Sequence, residues 1–347
     1  MKRVYLDHNA TMPLRAEARE AMLGAMDVVG NPSSVHAEGR AAKTLLEKAR
    51  SQLAEAIGAQ AADIVFVSGS TEAAALAMAG RGLACSAIEH DAVRAWGADT
   101  LPCDVNGLVE IADPAISALQ FANSETGVIQ TLPDGLAVSD WTQGFGKLPL
   151  AFDWSGVEMA FVSAHKIGGP KGIGALILKR GLDLAAQIRG GGQEMGRRSG
   201  TENLIGIAGF GGAAAAVTQD IENGLWSRVE KLRNILEKAL EPRANKTIFV
   251  GKEVSRLPNT SLMVTPGWKG ETQVMQMDLA GFAVSAGSAC SSGKVAASSV
   301  LRAMGFSQEE AGCAIRVSLG PETSEEDVLR FADGWLAAHD RWRARAA

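Results

Sequence analysis

An apolar run ends at Ser163, and His165, Lys166 and the turn GGPKGIG (168–174) follow it. A lysine after a strand is ordinarily a solvated surface residue. Here Ser163 and His165 supply donors beside it, and the glycines let the backbone pass close to a ligand. An amine that forms a Schiff base needs such an anchored, partly desolvated position. About one strand–helix–strand unit earlier, the run LAVSD ends on Asp140. Its carboxylate suits an exposed turn, a helix N-cap, a metal or a protonated ring nitrogen. Further upstream, VSGSTE places Gly69, Ser70 and Thr71 where a strand turns into a helix. Free N–H groups and the helix dipole there suit a phosphate, although an ordinary N-cap explains the same residues. The chain has no GxxxxGK[ST] motif, so this is not a P-loop. A phosphate cradle, an acid for a pyridinium nitrogen and a Schiff-base lysine together describe pyridoxal 5'-phosphate.

Two further residues carry chemistry. Arg316, in AIRVSLG, has the two-pronged donor geometry that clamps a carboxylate; a salt-bridged surface arginine is the plain alternative. Cys290 lies in SAGSACSSG, where Gly287 and Gly293 bracket small polar residues. Such a composition does not pack a core and leaves a thiol available as a nucleophile. Cys85, Cys103 and Cys313 read instead as small core residues. No CxxC pair and no HExxH or HxxxH spacing occurs, so no metal site is expected.

These residues need a scaffold. Apolar runs at DIVFVSG, 83–87, 116–122, 136–139, 159–163 and 174–178 alternate with helical stretches. HAEGRAAKTLLEKARSQLAEAIG has helical spacing and reaches Gly58 as its C-cap, and STEAAALAMAG opens a helix. Strands alternating with helices predict an α/β fold with a mostly parallel sheet, helices on both faces and ligands at the carboxyl ends of the strands. After about Gly224 the texture changes. An amphipathic helix, LWSRVEKLRNILEKALEP, precedes the strand-like runs KTIFVG, NTSLMVT and FAVS and a long C-terminal helix from Ser324. This predicts a smaller α+β unit. The expected division is 14–223 for a large cofactor-binding domain, with 1–13 and 224–347 forming the smaller domain that carries the cysteine.

With 46% hydrophobic and 21% charged residues, the 347-residue chain has the balance of a globular protein. Its net charge of −5 and its lack of a basic stripe argue against nucleic acid. The longest stretch of small apolar residues, 204–217, is shorter than a membrane span and reads as a packed helix. No N-terminal signal region is evident, so a cytoplasmic location is expected.

The stretches YLDHNATMP, GNPSSVHAEGR, VFVSGSTEAA, IEHDAV, ANSETGVIQ, SDWTQGFGKLP, SAHKIGGPKGIGAL, GGGQEMGRRSGTEN, LPNTS, SAGSACSSG and IRVSLG occur in the order found in aminotransferase class V enzymes. The chain resembles that family of fold-type I pyridoxal phosphate enzymes, and within it the cysteine desulfurases of the NifS/IscS type. The resemblance implies a seven-stranded, mostly parallel sheet and removal of sulfur from L-cysteine, leaving alanine. It implies that Lys166 holds the cofactor and moves the substrate Cα proton, and that Asp140 pairs with the pyridinium nitrogen. Gln143 would bond the ring's phenolic oxygen, His90 would stack on the ring and assist proton transfer, and Ser70, Thr71, Ser163 and His165 would hold the phosphate. Thr201 would reach the phosphate of a partner subunit, which requires a homodimer. Arg316 would bind the substrate carboxylate, with Asn123 near both that carboxylate and the ring oxygen. Cys290 would take the sulfur as a persulfide and pass it to an acceptor, such as an iron–sulfur scaffold or a thiolation protein.

The chain departs from the pattern at three places and in its trimmed connections between Ala79 and Asp140. Trp141 follows Asp140 where the family has a small residue, and is expected beside the pyridinium pocket. Met12 replaces a threonine, and KVAASSV follows the cysteine stretch where a Glu-Pro pair is usual. These departures keep open another class V reaction, such as a selenocysteine lyase, a cysteine lyase or a small-substrate aminotransferase, or a non-catalytic scaffold. Retention of Lys166, Asp140 and Arg316 argues against the scaffold.

Overall fold

The computed structural model of the protein describes residues 3–287 and 297–346. In chain order it runs β1 (Val4–Tyr5), α1 (Ala16–Met26), α2 (Ala37–Ile57), β2 (Ala62–Val67), α3 (Ser70–Met78), β3 (Ala84–Ser86), α4 (Asp91–Arg94), β4 (Ala98–Leu101), β5 (Ala118–Gln120), β6 (Val138–Asp140), β7 (Met159–Ser163) and β8 (Gly174–Lys179). There follow α5 (Leu204–Glu222), α6 (Leu225–Leu240), β9 (Ile248–Phe249), β10 (Thr260–Val264), α7 (Gly270–Leu279), β11 (Phe282–Ala283), β12 (Ser285–Ala286), α8 (Ser299–Ala303), α9 (Gln308–Ala311), β13 (Ala314–Ser318) and α10 (Glu325–Ala346).

The main sheet has the order β2-β8-β7-β6-β5, and the parallel pair β3-β4 extends it through a bridge from Ala84 to Ser117. All strands but β8 run in one direction; β8 is antiparallel to both of its neighbours. The carboxyl ends of β2, β5, β6 and β7 therefore open on one edge, which is also where β8 begins. Along β2, Ile64 and Phe66 face one buried cluster while Val65 and Val67 face another. Along β8, Ala175 and Ile177 alternate in the same way with Leu176 and Leu178. The period of two, buried on both sides, is what a sheet covered by helices requires. Leu46, Leu53 and Phe210 from α2 and α5 cover one face, and Leu76 and Met78 from α3 cover the other.

Helix α2 ends as its sequence predicts, on Gly58 at φ +63°. Helix α5 is longer than its apolar run, reaching Glu222. It is apolar and long enough to cross a membrane by composition, yet it packs against α1 and α2. Its glycines allow this: a Cβ at Gly209 would lie 2.6 Å from Met22, and one at Gly211 2.8 Å from the Ala49 Cα.

The later part of the chain forms the antiparallel sheet β12-β13-β10-β9. The FAVS run, read as one strand, is split: β11 pairs with β1, and β12 with β13. A cluster containing Leu6, Trp226, Leu236, Val317 and Trp335 joins the N-terminal strand to this region. Cys85 and Cys313 are buried and Cys103 is half-buried.

Candidate active site

The strand ends form a cavity of about 710 Å³ lined by Ser70, Thr71, His90, Asp140, Gln143, Ser163, His165, Lys166 and Arg316. Asn123 and Thr201 do not line it. Cys290 lies outside the described residues. A second, open concavity of about 840 Å³ beside α2 holds Arg50, Glu194 and Met195 and none of the expected site residues.

Lys166 sits in a single 3-10 turn just past β7. Its Nζ donates to the carbonyls of Asn9 at 2.6 Å and Ala10 at 2.9 Å. Those carbonyls belong to the segment after β1, which is fixed on one side by the His8 N–H to Ser318 O and on the other by the Met12 N–H to His165 O. The His165 Nδ1 lies 3.1 Å from Thr11 Oγ1. Desolvation, with Lys166 and Lys171 nearby, lowers the His165 pKa to about 4, so its ring is neutral at pH 7.

Asp140 ends β6. The Thr142 N–H donates to its Oδ1 at 2.8 Å. Desolvation pushes its carboxyl up, opposed by Thr142, His90 and Lys166. Trp141 does not enter the pocket. Side chains alternate along an extended chain, so the indole turns to the opposite side and packs in the core against Phe121 and Phe152. The expectation that it flanks the pyridinium pocket is therefore corrected.

Helix α3 begins at Ser70 with Gly69 as N-cap, and no side chain caps it. The plain reading of Ser70 or Thr71 as the cap does not hold. Ser70 Oγ instead meets Thr142 Oγ1 at 2.7 Å, and Glu72 is turned toward Ser68 N and Arg198. Gly174 allows β8 to reach this turn, because a Cβ there would lie 2.8 Å from the Gly69 Cα. Lys171 lines the same end of the cavity.

At the other end, Arg316 from β13 pairs with Asp7 Oδ1 at 2.8 Å and donates to Ser124 O at 2.9 Å. Its buried Nε has no hydrogen-bond partner among the described residues, and each Nη carries a second N–H beyond the two bonds above. Ser285 Oγ donates to the second oxygen of Asp7. His90 caps α4, its Nδ1 accepting from the Ala92 N–H at 3.1 Å. The helix-start role and the cavity position thus coexist, and with Nδ1 accepting, the ring's N–H donor is Nε2.

Asn123 is buried, and its amide serves the backbone: Oδ1 accepts from the N–H groups of Glu125 and Thr126, and Nδ2 donates to Ile88 O. Gln143 Nε2 donates to Asn9 O at 3.0 Å. Sequence reasoning assigned nothing to Asp7, Asn9, Thr142 or Lys147, although each stands in a stretch that carried the resemblance. A polar Asp-His-Asn run directly after an apolar strand was the signal available for the first two.

The donor set fits pyridoxal phosphate. A carboxylate desolvated at the end of a sheet favours a cationic partner, and a protonated ring nitrogen is one. An uncapped helix N-terminus with Ser70, Thr71 and Ser163 around it suits a dianion. An amine held on two neutral carbonyls suits an aldehyde.

Residues 4–97 and 103–331 match the aminotransferase class V family. The chain is 37% identical to a cysteine desulfurase of Cereibacter sphaeroides, a match covering 99% of this chain and 97% of the relative. It is 35% identical to a cysteine desulfurase IscS of Dictyoglomus turgidum, over 94% of this chain and 92% of the relative. Among solved structures, a NifS-like protein from Rickettsia africae aligns with a TM-score of 0.88 at 33% identity, covering 97% of this chain and 99% of that one. A cavity walled by the ends of a mostly parallel sheet, and likeness to these relatives over nearly the whole length, agree: the chain belongs to the aminotransferase class V family.

Proposed function

We propose that the protein is a cysteine desulfurase that works with pyridoxal 5'-phosphate, converting L-cysteine to L-alanine and retaining the sulfur as a persulfide. The observation that carries the reading is one cavity holding an amine, Lys166, a carboxylate, Asp140, and a guanidinium, Arg316, in a chain whose full-length relatives are named cysteine desulfurases.

Bound pyridoxal phosphate supplies an electron sink for the charge left when the substrate Cα loses its proton. Lys166 holds the cofactor and moves that proton. Asp140 keeps the ring nitrogen protonated, and Gln143 donates to the phenolic oxygen. His90, which lines the cavity, would stack on the ring and assist proton movement. Ser70, Thr71, Ser163, His165 and the first N–H groups of α3 hold the phosphate, with Thr201 contributed to the partner's site in a homodimer. Arg316 binds the substrate carboxylate through the donors that Asp7 and Ser124 leave open. Asn123 shapes the turn that presents Ser124 to Arg316. The Cys290 thiolate attacks the substrate sulfur: an S–S bond forms as the substrate Cβ–S bond breaks, and the electron pair left on the carbon side is protonated to give the methyl group of alanine. The persulfide passes to an acceptor protein of the iron–sulfur scaffold or thiolation type. The division into 14–223 and 1–13 plus 224–347 follows the same reading, supported by the packing of Leu6 with Trp226 and Trp335.

The test measures alanine and sulfide released from L-cysteine with a reductant present, with selenocysteine and alanine as parallel substrates. The reading expects equal alanine and sulfide, and loss of turnover in Cys290→Ala. Full turnover in that variant contradicts the nucleophile assignment.

A further inference from the structure

Lys147 is 2% exposed, an unusual position for a lysine. It does not line the cavity, but it bonds to two residues that do, Gln143 and Asn9, and Asn9 also receives Lys166. Its Nζ donates to Gln143 Oε1 at 2.8 Å, to Gln143 O at 3.1 Å and to Asn9 Oδ1 at 3.3 Å. All three acceptors are neutral, and among the described residues no carboxylate pairs with it. The charged or titratable groups acting on it are Lys166, Arg316 and the His8 ring. Burial, then Lys166 and Arg316, holds its pKa well below the usual lysine value. Burying an amine in this way is costly, so the position calls for a function.

The geometry indicates which. Asn9 O is a backbone carbonyl and can only accept. It takes hydrogen bonds from Lys166 Nζ and Gln143 Nε2. The NH₂ group of Gln143 therefore faces Asn9, and its Oε1 faces Lys147. A flipped amide would set two oxygens against each other at Asn9. The rest of Asn9 is equally constrained: Oδ1 also accepts from Asn259, Nδ2 donates to Thr260 and Ser124, and its N–H donates to Ser318 Oγ.

We propose that Lys147 is a positioning residue that acts from behind the cavity wall, fixing the Gln143 amide with its NH₂ toward the cavity and steadying Asn9, whose carbonyl receives Lys166. This rests on the pyridoxal phosphate reading. Without Lys147, Gln143 Oε1 is left buried without its donor, and the group that meets the phenolic oxygen loses its fixed orientation.

The test compares wild type, Lys147→Met and Lys147→Gln, each reconstituted with pyridoxal phosphate. The dissociation constant and the pH midpoint of the visible absorbance band are measured, with thermal unfolding as the check on folding. Lys147→Met is expected to weaken cofactor binding at least tenfold and to move the midpoint by half a pH unit or more. Lys147→Gln keeps a donor for Gln143 but falls short of Asn9, and is expected in between, at about threefold. Affinity within twofold of wild type and an unmoved midpoint in a folded Lys147→Met overturn the proposal. Should that variant not fold, wild-type values in Lys147→Gln overturn it instead, and failure of both to fold assigns the lysine a purely structural role. A wild-type protein that gains no visible band overturns the cofactor reading itself, a result distinct from any difference between the variants.

Discussion

At the scale of single residues, the two groups that carry the proposed chemistry were legible because each is a polar residue in an apolar setting. Asp140 ends a buried strand and Lys166 stands three residues past the end of another, and the glycine-rich turn beside Lys166 is visible in the sequence. Lys166→Ala should abolish turnover, a loss of more than a thousandfold, and remove the visible band of the reconstituted protein; spectra and an alanine assay check both. Asp140→Ala should keep the band yet lower turnover at least a hundredfold, because the carboxylate proposed to hold the ring proton is gone. Turnover within tenfold of wild type would contradict that role. What sequence could not give is the company a residue keeps. Asn9 stands in a polar run and Lys147 in a glycine-rich turn far along the chain, and only the fold brings them together behind Gln143. Trp141 was legible as an oddity but not in its direction, which depends on the side of the strand it takes.

At the scale of elements, helix ends and strand periods were readable where the pattern is regular, as in α2 with Gly58, and unreadable where function interrupts it. Strand β13 has Arg316 in the middle of an apolar run, so periodicity alone does not announce it. The approach of β13 to the N-terminal segment is tight: a Cβ on Gly320 would lie 1.9 Å from His8 Nε2. Gly320→Ala should therefore cost roughly 1–3 kcal/mol by overpacking and weaken cofactor binding through the displaced carbonyls of Asn9 and Ala10. Denaturant melts and a binding titration check the two effects. Glu125 gives a pH test. Ser298 Oγ donates to its buried carboxyl at 2.5 Å. Burial raises that carboxyl from 4.5 to about 7, partly offset by Ser298, Arg316 and His90. A raised carboxyl holds its proton in the folded state after the unfolded chain has lost it. Wild-type stability thus falls as pH rises from 4.5 to about 7. At about 1.4 kcal/mol per pKa unit the effect is roughly 3 kcal/mol. Glu125→Gln should gain stability relative to wild type between pH 5 and pH 8; an equal difference at both ends contradicts the assignment.

At the scale of the whole molecule, the mostly parallel sheet and the cavity at its carboxyl edge were readable from alternating strands and helices, whereas the strand order, with β8 antiparallel between β2 and β7, was not. The two-chain arrangement was implied only by resemblance. In the structure Thr201 is exposed on its own chain, at the end of a segment held by Arg50 on Glu194 and Arg198 on Glu72. Within that segment Glu194 and Met195 take positive φ angles of 47° and 58°, a conformation that only firm anchoring maintains. A homodimer in sedimentation, with cofactor affinity weakened about tenfold by Thr201→Ala, is the expected outcome. Unchanged affinity would remove Thr201 from the partner's site. The central claim is that one amine among several nearby lysines joins the cofactor. The direct measurement is borohydride reduction of the reconstituted protein followed by peptide mass mapping. The account predicts the reduced pyridoxyl adduct on Lys166, with Lys147 and Lys171 unmodified; an adduct on either of those, or none at all, contradicts it.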